Sequence, residues 1–410
     1  MPAMIKKNKT KRSSYLVCLL SIIIGVFVLS SCTKMNTESV GTEDIHVADE
    51  QMQQAEPDEY SKIVKQANDI LSSMTLDEKI YQMLFVTPES LTNVGQVIQA
   101  GESTKQALNK YPVGGIIYFS ANLQDKNQIK SMIDNTQKFS KIPLFMGVDE
   151  EGGRVARLGN NAKTGVTKID TMKTVGDTKN PNNAYTVGKT LGKELSKLGF
   201  NVDFAPVADV ISNSNNTEIG DRSFGTDAEN VSKMVFNEVK GLQENNVSAV
   251  LKHFPGHGST ESNSHTGYSQ SIRTLDELLQ CDLLPFKSGI EANADFVLIS
   301  HATFINATEE HCPASLSREI ISNILLEQLK FNGIVITDSF QMGAITENFS
   351  VKDATVMAIN AGVDMILMPS SIKSSFDAIN EAVRTQQISE NRIDESVRKI
   401  LIIKIRNHLL

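Results

Sequence analysis

Val247-Ser248-Ala249-Val250-Leu251-Lys252-His253-Phe254-Pro255-Gly256-His257-Gly258 runs from a short, apolar, β-branched stretch straight into a cation, two imidazoles, a proline and two glycines. The first five residues predict a buried strand, so Lys252 and His253 emerge at its C-terminal end. Gly256 and Gly258 permit the tight backbone that turns the following loop over that end. Asn263-Ser264-His265 comes soon after and adds a third imidazole. Three histidines at this spacing could be zinc ligands, but the proline and glycines argue against the helix that normally sets such spacing, and no metal is expected. His257 by itself reads as a loop residue bonded to its neighbours. Four polar side chains gathered at one strand end read as a site.

On both sides of this stretch, short apolar runs alternate with segments of helical period. The runs fall at 83–86, 113–119, 143–148, 200–206, 247–251, 296–299, 333–337 and 363–368. Helical segments such as 184–198 and 275–292 separate them, and Thr75-Leu76-Asp77-Glu78 carries the spacing of a capping box. Eight β/α units predict an α/β fold of the (β/α)8 TIM-barrel type, with a doubly wound open sheet as the alternative. Ile393, Val397, Ile400, Leu401 and Lys404 mark one stripe of a final helix.

The N-terminus reads as a targeting segment. Lys6, Lys7, Lys9, Lys11 and Arg12 form a basic flank to an apolar core at 15–29, too short for a comfortable membrane span, and Leu29-Ser30-Ser31-Cys32 closes it. This ending resembles a bacterial lipobox, so 1–31 is expected to be a lipoprotein signal peptide, with lipid on Cys32 as the membrane anchor; an uncleaved signal anchor would share the same flank. Either way the globular part is expected at the extracytoplasmic face. Residues 32–58 are polar and acidic and predict a flexible tether, leaving 59–410 for the barrel.

The formal charge of the 410-residue chain is -8, and loss of the five N-terminal cations takes it to about -13, which gives no support to nucleic-acid binding. Of the four cysteines, only Cys281 and Cys312 fall in the predicted barrel, so no disulfide framework is expected. Tryptophan is absent, which leaves phenylalanine, tyrosine and hydrogen bonds to make any sugar platform.

Polar residues follow the predicted strands consistently. Asp149-Glu150-Glu151-Gly152-Gly153-Arg154 follows the third, Asp209 and Asp221-Arg222-Ser223-Phe224-Gly225 the fourth, His301 the sixth and Thr337-Asp338-Ser339 the seventh. In a barrel these converge on one rim. Taken singly they have plainer readings: 149–151 as solvated charge, Asp209 as a helix cap, Arg222 as a surface partner of Asp221. Asp338 leaves the apolar strand Ile334-Val335-Ile336, where a carboxylate must be hydrogen-bonded or functional.

Met74-Thr75-Leu76-Asp77-Glu78-Lys79-Ile80, Glu151-Gly152-Gly153-Arg154, Gly220-Asp221-Arg222-Ser223-Phe224, Lys252 to Gly258 and Thr337-Asp338 together resemble the family 3 glycoside hydrolases, in their single-barrel β-N-acetylglucosaminidase branch. The resemblance implies a single catalytic barrel without a second α/β sandwich domain. It also implies a retaining, exo-acting hydrolase of terminal β-linked N-acetylglucosamine in muropeptides or chitin-type oligosaccharides, needing no cofactor. Asp338 takes the nucleophile position and His265 the acid/base position, with Asn263 and Ser264 supporting it. Asp149, Arg157, Arg222, Lys252 and His253 match positions that hold the sugar.

Two residues depart from the branch. Asn263 stands where an aspartate usually pairs with the histidine; asparagine can fix a tautomer but cannot stabilise an imidazolium, a change that costs ~10⁴ in kcat in serine hydrolases. Glu150 stands where relatives commonly have glutamine. A sugar-binding lipoprotein with impaired catalysis, and a β-glucosidase, β-xylosidase or phosphorylase on the same barrel, are therefore the alternatives.

Overall fold

The computed structural model describes residues 58–261 and 269–410. All eight apolar runs become strands of one parallel sheet: β1 (Leu84–Val86), β2 (Gly115–Tyr118), β3 (Phe145–Val148), β4 (Val202–Asp203), β5 (Ser248–Phe254), β6 (Phe296–Ile299), β7 (Ile334–Thr337) and β8 (Ile366–Leu367). Their order is β7-β6-β5-β4-β3-β2-β1-β8. The sheet closes where Ile336 bridges Met365 in parallel and Phe340 N–H donates to the Leu367 carbonyl at 3.0 Å. That closure excludes the open doubly wound alternative and gives the (β/α)8 barrel.

The barrel interior is packed rather than hollow. Phe85 and Phe204 meet edge to face with ring centroids 5.5 Å apart. Gly147 lies beside them because a Cβ there would sit 2.7 Å from the Phe204 ring. One layer below, Phe145 and Phe296 form a second edge-to-face pair at 5.2 Å.

Local signals set the outer helices. Thr75 accepts the Glu78 N–H while the Glu78 side chain accepts the Thr75 N–H, closing the expected capping box of Leu76–Gln82. Pro181–Leu198 opens after Asn180 with a proline in its first turn and stops at Gly199 in the left-handed region. The last helix, Glu390–Arg406, buries Ile393, Val397, Ile400 and Leu401 as expected. Lys404 is also buried, with its Nζ 2.7 Å from Gln82 Oε1.

The segment read as one helix over 275–292 is broken. Leu275–Glu277 passes into a π-helical turn, Leu278–Asp282, before Leu284–Glu291 resumes. Pro285 lacks the N–H that a continuous ladder needs. Two short strand pairs outside the barrel also lay below the reach of periodicity: Glu150–Gly152 with Val155–Ala156, and Gln270–Thr274 with Thr303–Asn306.

Candidate active site

At the C-terminal ends of the strands lies a cavity of about 440 Å³, within the range of small-molecule sites. Asp149, Arg157, Arg222, Lys252, His253 and Asp338 all line it. They come from four strand ends and the loops behind them, and only the closed barrel brings them together. Asn263, Ser264, His265 and Cys32 lie outside the described residues.

The hairpin after β3 divides its three acidic residues by face. Asp149 and Glu151 point into the cavity. Glu150 points away, and its carboxylate accepts the N–H groups of Leu158 and Gly159 at 2.7 and 2.8 Å. Burial raises the Glu150 pKa to about 7. All three contradict the solvated-charge reading, since Glu150 and Glu151 are each 1% exposed and Asp149 is salt-bridged to two cations.

Glu151 is the hub. Arg222 grips it through Nε and Nη2, both at 2.8 Å, and Lys252 Nζ reaches it at 2.5 Å. Lys252 also donates to Asp149 Oδ1 at 2.9 Å, and Arg157 Nη2 to Asp149 Oδ2 at 3.2 Å. Burial works against ionisation of Glu151, but Arg222 and Lys252 overcome it and hold the carboxyl far below the usual range. Burial likewise opposes the Lys252 charge, yet Asp149 and Glu151 push its pKa up. Arg222 therefore pairs with Glu151 rather than with Asp221, which instead meets Arg154 at 2.9 Å.

Gly256 and Gly258 make the tight loop after β5 possible. Gly256 has φ +130°, and a Cβ at Gly258 would lie 2.0 Å from the Val210 carbonyl. The loop wraps onto Asp209, which is fully buried and caps no helix. Asp209 accepts the His253 N–H at 3.2 Å, the His253 ring at Nδ1 at 2.8 Å and the His257 N–H at 2.6 Å. His257 also bonds Thr260 Oγ1 through Nδ1 at 3.0 Å, in keeping with its reading as a loop residue, although it lines the cavity as well. Burial, then the nearby His253, lowers the His257 pKa.

Asp338 sits just past β7. Its N–H continues the β6 ladder to the Ile299 carbonyl at 2.8 Å, and its Oδ1 accepts the Ser339 N–H at 2.7 Å. His301, after β6, steadies this corner. Its Nε2 contacts the Ser339 carbonyl at 2.9 Å, and because a carbonyl only accepts, Nε2 carries a proton; Nδ1 pairs with the Ser315 hydroxyl at 2.7 Å. Val155, Ile219, Met342 and Met368 add apolar wall.

Two carboxylates of this network were not singled out as site residues from sequence: Glu151 and Asp209. Alternation along the hairpin strand would have paired Glu151 with Asp149. For Asp209, the next helical turn begins only at Gly220 and the next α-helix at Ala228, both too far on for a cap.

Residues 75–403 match the glycosyl hydrolase family 3 N terminal domain. A beta-hexosaminidase A from Pseudoalteromonas piscicida is 33% identical over 326 residues, covering 73% of this chain and 54% of the relative. A family 3 beta-N-acetylglucosaminidase structure from Paenibacillus sp. superposes with a TM-score of 0.77 at 33% identity, over 82% of this chain and 63% of that one. A family 3 glycosyl hydrolase structure from Mycobacterium smegmatis gives 0.72 at 30% identity, over 81% of this chain and 98% of that one. The chain thus spans about half the length of the first relative and most of the last.

Proposed function

This chain belongs to glycosyl hydrolase family 3, and from that premise we propose that it is a retaining, exo-acting β-N-acetylglucosaminidase that removes terminal β-linked N-acetylglucosamine from muropeptides or chitin-type oligosaccharides. The observation that carries this reading is that Asp338 lines one small cavity together with Asp149, Arg157, Arg222, Lys252 and His253. One carboxylate faces a polar wall dense in N–H donors, as a closed sugar subsite requires.

In this reading Asp338 attacks the anomeric carbon. The new C1–Oδ bond forms as the glycosidic C1–O bond breaks, and His265 gives its proton to the departing oxygen. Water then attacks C1, His265 takes a proton back, and the ester to Asp338 is released. Arg157, Arg222 and Lys252 hold hydroxyl oxygens, while Asp149 accepts from hydroxyl groups. The beta-hexosaminidase name of the Pseudoalteromonas relative and the beta-N-acetylglucosaminidase title of the Paenibacillus structure support the N-acetyl sugar.

One residue favours a second reading. Asn263 beside His265 supplies no negative charge to stabilise an imidazolium, which suits a sugar-binding protein with weak acid/base catalysis. We also infer that residues 1–31 are a signal peptide, that Cys32 is lipidated and that 32–58 tether the barrel at the extracytoplasmic face. The basic flank, short apolar core and Leu29-Ser30-Ser31-Cys32 support this.

The two readings separate on aryl glycosides. An enzyme releases 4-nitrophenol from the N-acetyl-β-glucosaminide in preference to the β-glucoside, and Asn263→Asp raises turnover on poor leaving groups. Sugar binding without release from either glycoside, unaltered by Asn263→Asp, would establish the binding protein instead.

A further inference from the structure

We propose that Asp209 is a positioning residue that fixes the tautomer of His253, keeping the ring proton on Nδ1 so that Nε2 accepts from Arg222 and locks the guanidinium that grips Glu151. The inference deepens the sugar-site reading above and rests on it for its functional consequence.

The sugar reading leaves one buried charge beside the site without a role. Asp209 is fully buried, and among the described residues its carboxylate receives N–H donors: the backbone and ring of His253 and the backbone of His257. A carboxylate that receives three N–H groups serves here as an acceptor. A carboxylate 2.8 Å from Nδ1 requires the proton on that nitrogen.

The far side of the ring gives the same assignment independently. Arg222 Nη2 lies 3.3 Å from His253 Nε2, and a guanidinium can only donate. A proton on Nε2 would point at a cation. Arg222 in turn spends Nε and a second Nη2 hydrogen on Glu151, which also receives Lys252. One donor-to-acceptor direction therefore runs from Arg222 through His253 to Asp209, and reversing the ring proton would set donors facing each other at Arg222.

Asparagine at 209 breaks this direction. Its single carbonyl oxygen cannot serve all three N–H groups, and its NH2 must face a donor or draw the ring into the opposite tautomer. With its ring partner turned, Arg222 loses its fixed position on the cavity wall, and sugar affinity should fall about tenfold or more, equivalent to about 1.4 kcal/mol.

The test is nitrogen NMR of the full chain labelled with ¹⁵N-histidine, without sugar, assigned by single histidine replacements. The expected His253 signals are a protonated Nδ1 and an unprotonated Nε2. Asp209→Asn should move both toward the opposite tautomer and weaken binding of N-acetylglucosamine, measured by calorimetry, about tenfold or more. Arg222→Met, which leaves Asp209 in place, should keep the proton on Nδ1. A wild-type proton on Nε2, or a tautomer unmoved by Asp209→Asn, would overturn the proposal; so would an altered tautomer with unchanged sugar affinity. If Asp209→Asn does not fold, the wild-type and Arg222→Met spectra decide it, the proposal failing if either carries the proton on Nε2. Failure of the wild-type chain to bind the sugar at all would instead refute the sugar-site reading, while the tautomer result would stand.

Discussion

Glu151→Gln tests whether the buried ion network is the framework of the site. Glu151 is 1% exposed and takes three charge-assisted hydrogen bonds, two from Arg222 and one from Lys252. The carboxylates of Asp149 and Glu151 share the cations of Arg157, Arg222 and Lys252, and glutamine at 151 removes one of the two negative charges that hold them. Its amide NH2 would also have to face Arg222 or Lys252, which only donate. Breaking a buried pair in this way costs about 3–5 kcal/mol. The melting temperature should fall by something on the order of 5–10 °C. Because both cations would shift, kcat/KM should fall roughly 10²-fold or more. Urea unfolding followed by circular dichroism reads the first quantity and aryl-glycoside kinetics the second. Glu151→Gln combined with Lys252→Met restores neutrality, so its stability loss should be smaller than the sum of the single losses by about 1–3 kcal/mol, with no recovery of activity. A Glu151→Gln loss under about 1 kcal/mol with activity retained would refute the reasoning.

Two further predictions concern buried ionisable groups outside the cavity lining. Burial holds the Glu238 pKa well above 4.5, and among the described residues neither carboxylate oxygen has a hydrogen-bond partner, so the folded protein keeps a proton that the unfolded chain has released. That term is complete below the unfolded pKa and is lost as pH rises toward the folded one. Glu238→Gln should therefore be more stable than wild type by a margin that grows from pH 5 to pH 8 in thermal melts; a constant margin would count against it. Lys404 is the opposite case. Burial lowers its pKa from 10.5 to about 7, with Gln82 and the Phe145 ring, 5.0 Å away, as its company. The folded state then holds fewer protons than the unfolded between those values, so stability rises with pH across that window. Lys404→Met should stabilise by about 1–4 kcal/mol at pH 6 to 7, with the gain shrinking toward pH 10, and denaturant titrations at the two ends measure it.

Much of this architecture is legible in the sequence because a parallel barrel strand must be apolar on both faces. Phe296–Ile299 was readable to the residue, and 333–337 to within one. β4 and β8 are only two residues long inside readings of seven and six, since hydrogen-bonding register, not apolarity, ends a strand. The rim followed from chain order: a polar residue after a strand lies at its C-terminal end once the barrel closes. What stayed hidden was pairing. Nothing in Asp221-Arg222 says that the arginine turns from its neighbour to Glu151, 71 residues away, because desolvation of a buried carboxylate, rather than proximity along the chain, selects the partner. Asp209 was illegible for the same reason, its donors lying 44 and 48 residues downstream.

The central claim is covalent chemistry at Asp338. The most direct measurement is rapid-quench mass spectrometry of the protein mixed with 4-nitrophenyl N-acetyl-β-glucosaminide, followed by peptide mapping. The account predicts a single N-acetylglucosaminyl adduct on the peptide containing Asp338, absent in Asp338→Ala. Aryl release with no adduct, an adduct on another residue, or one that survives Asp338→Ala would contradict it.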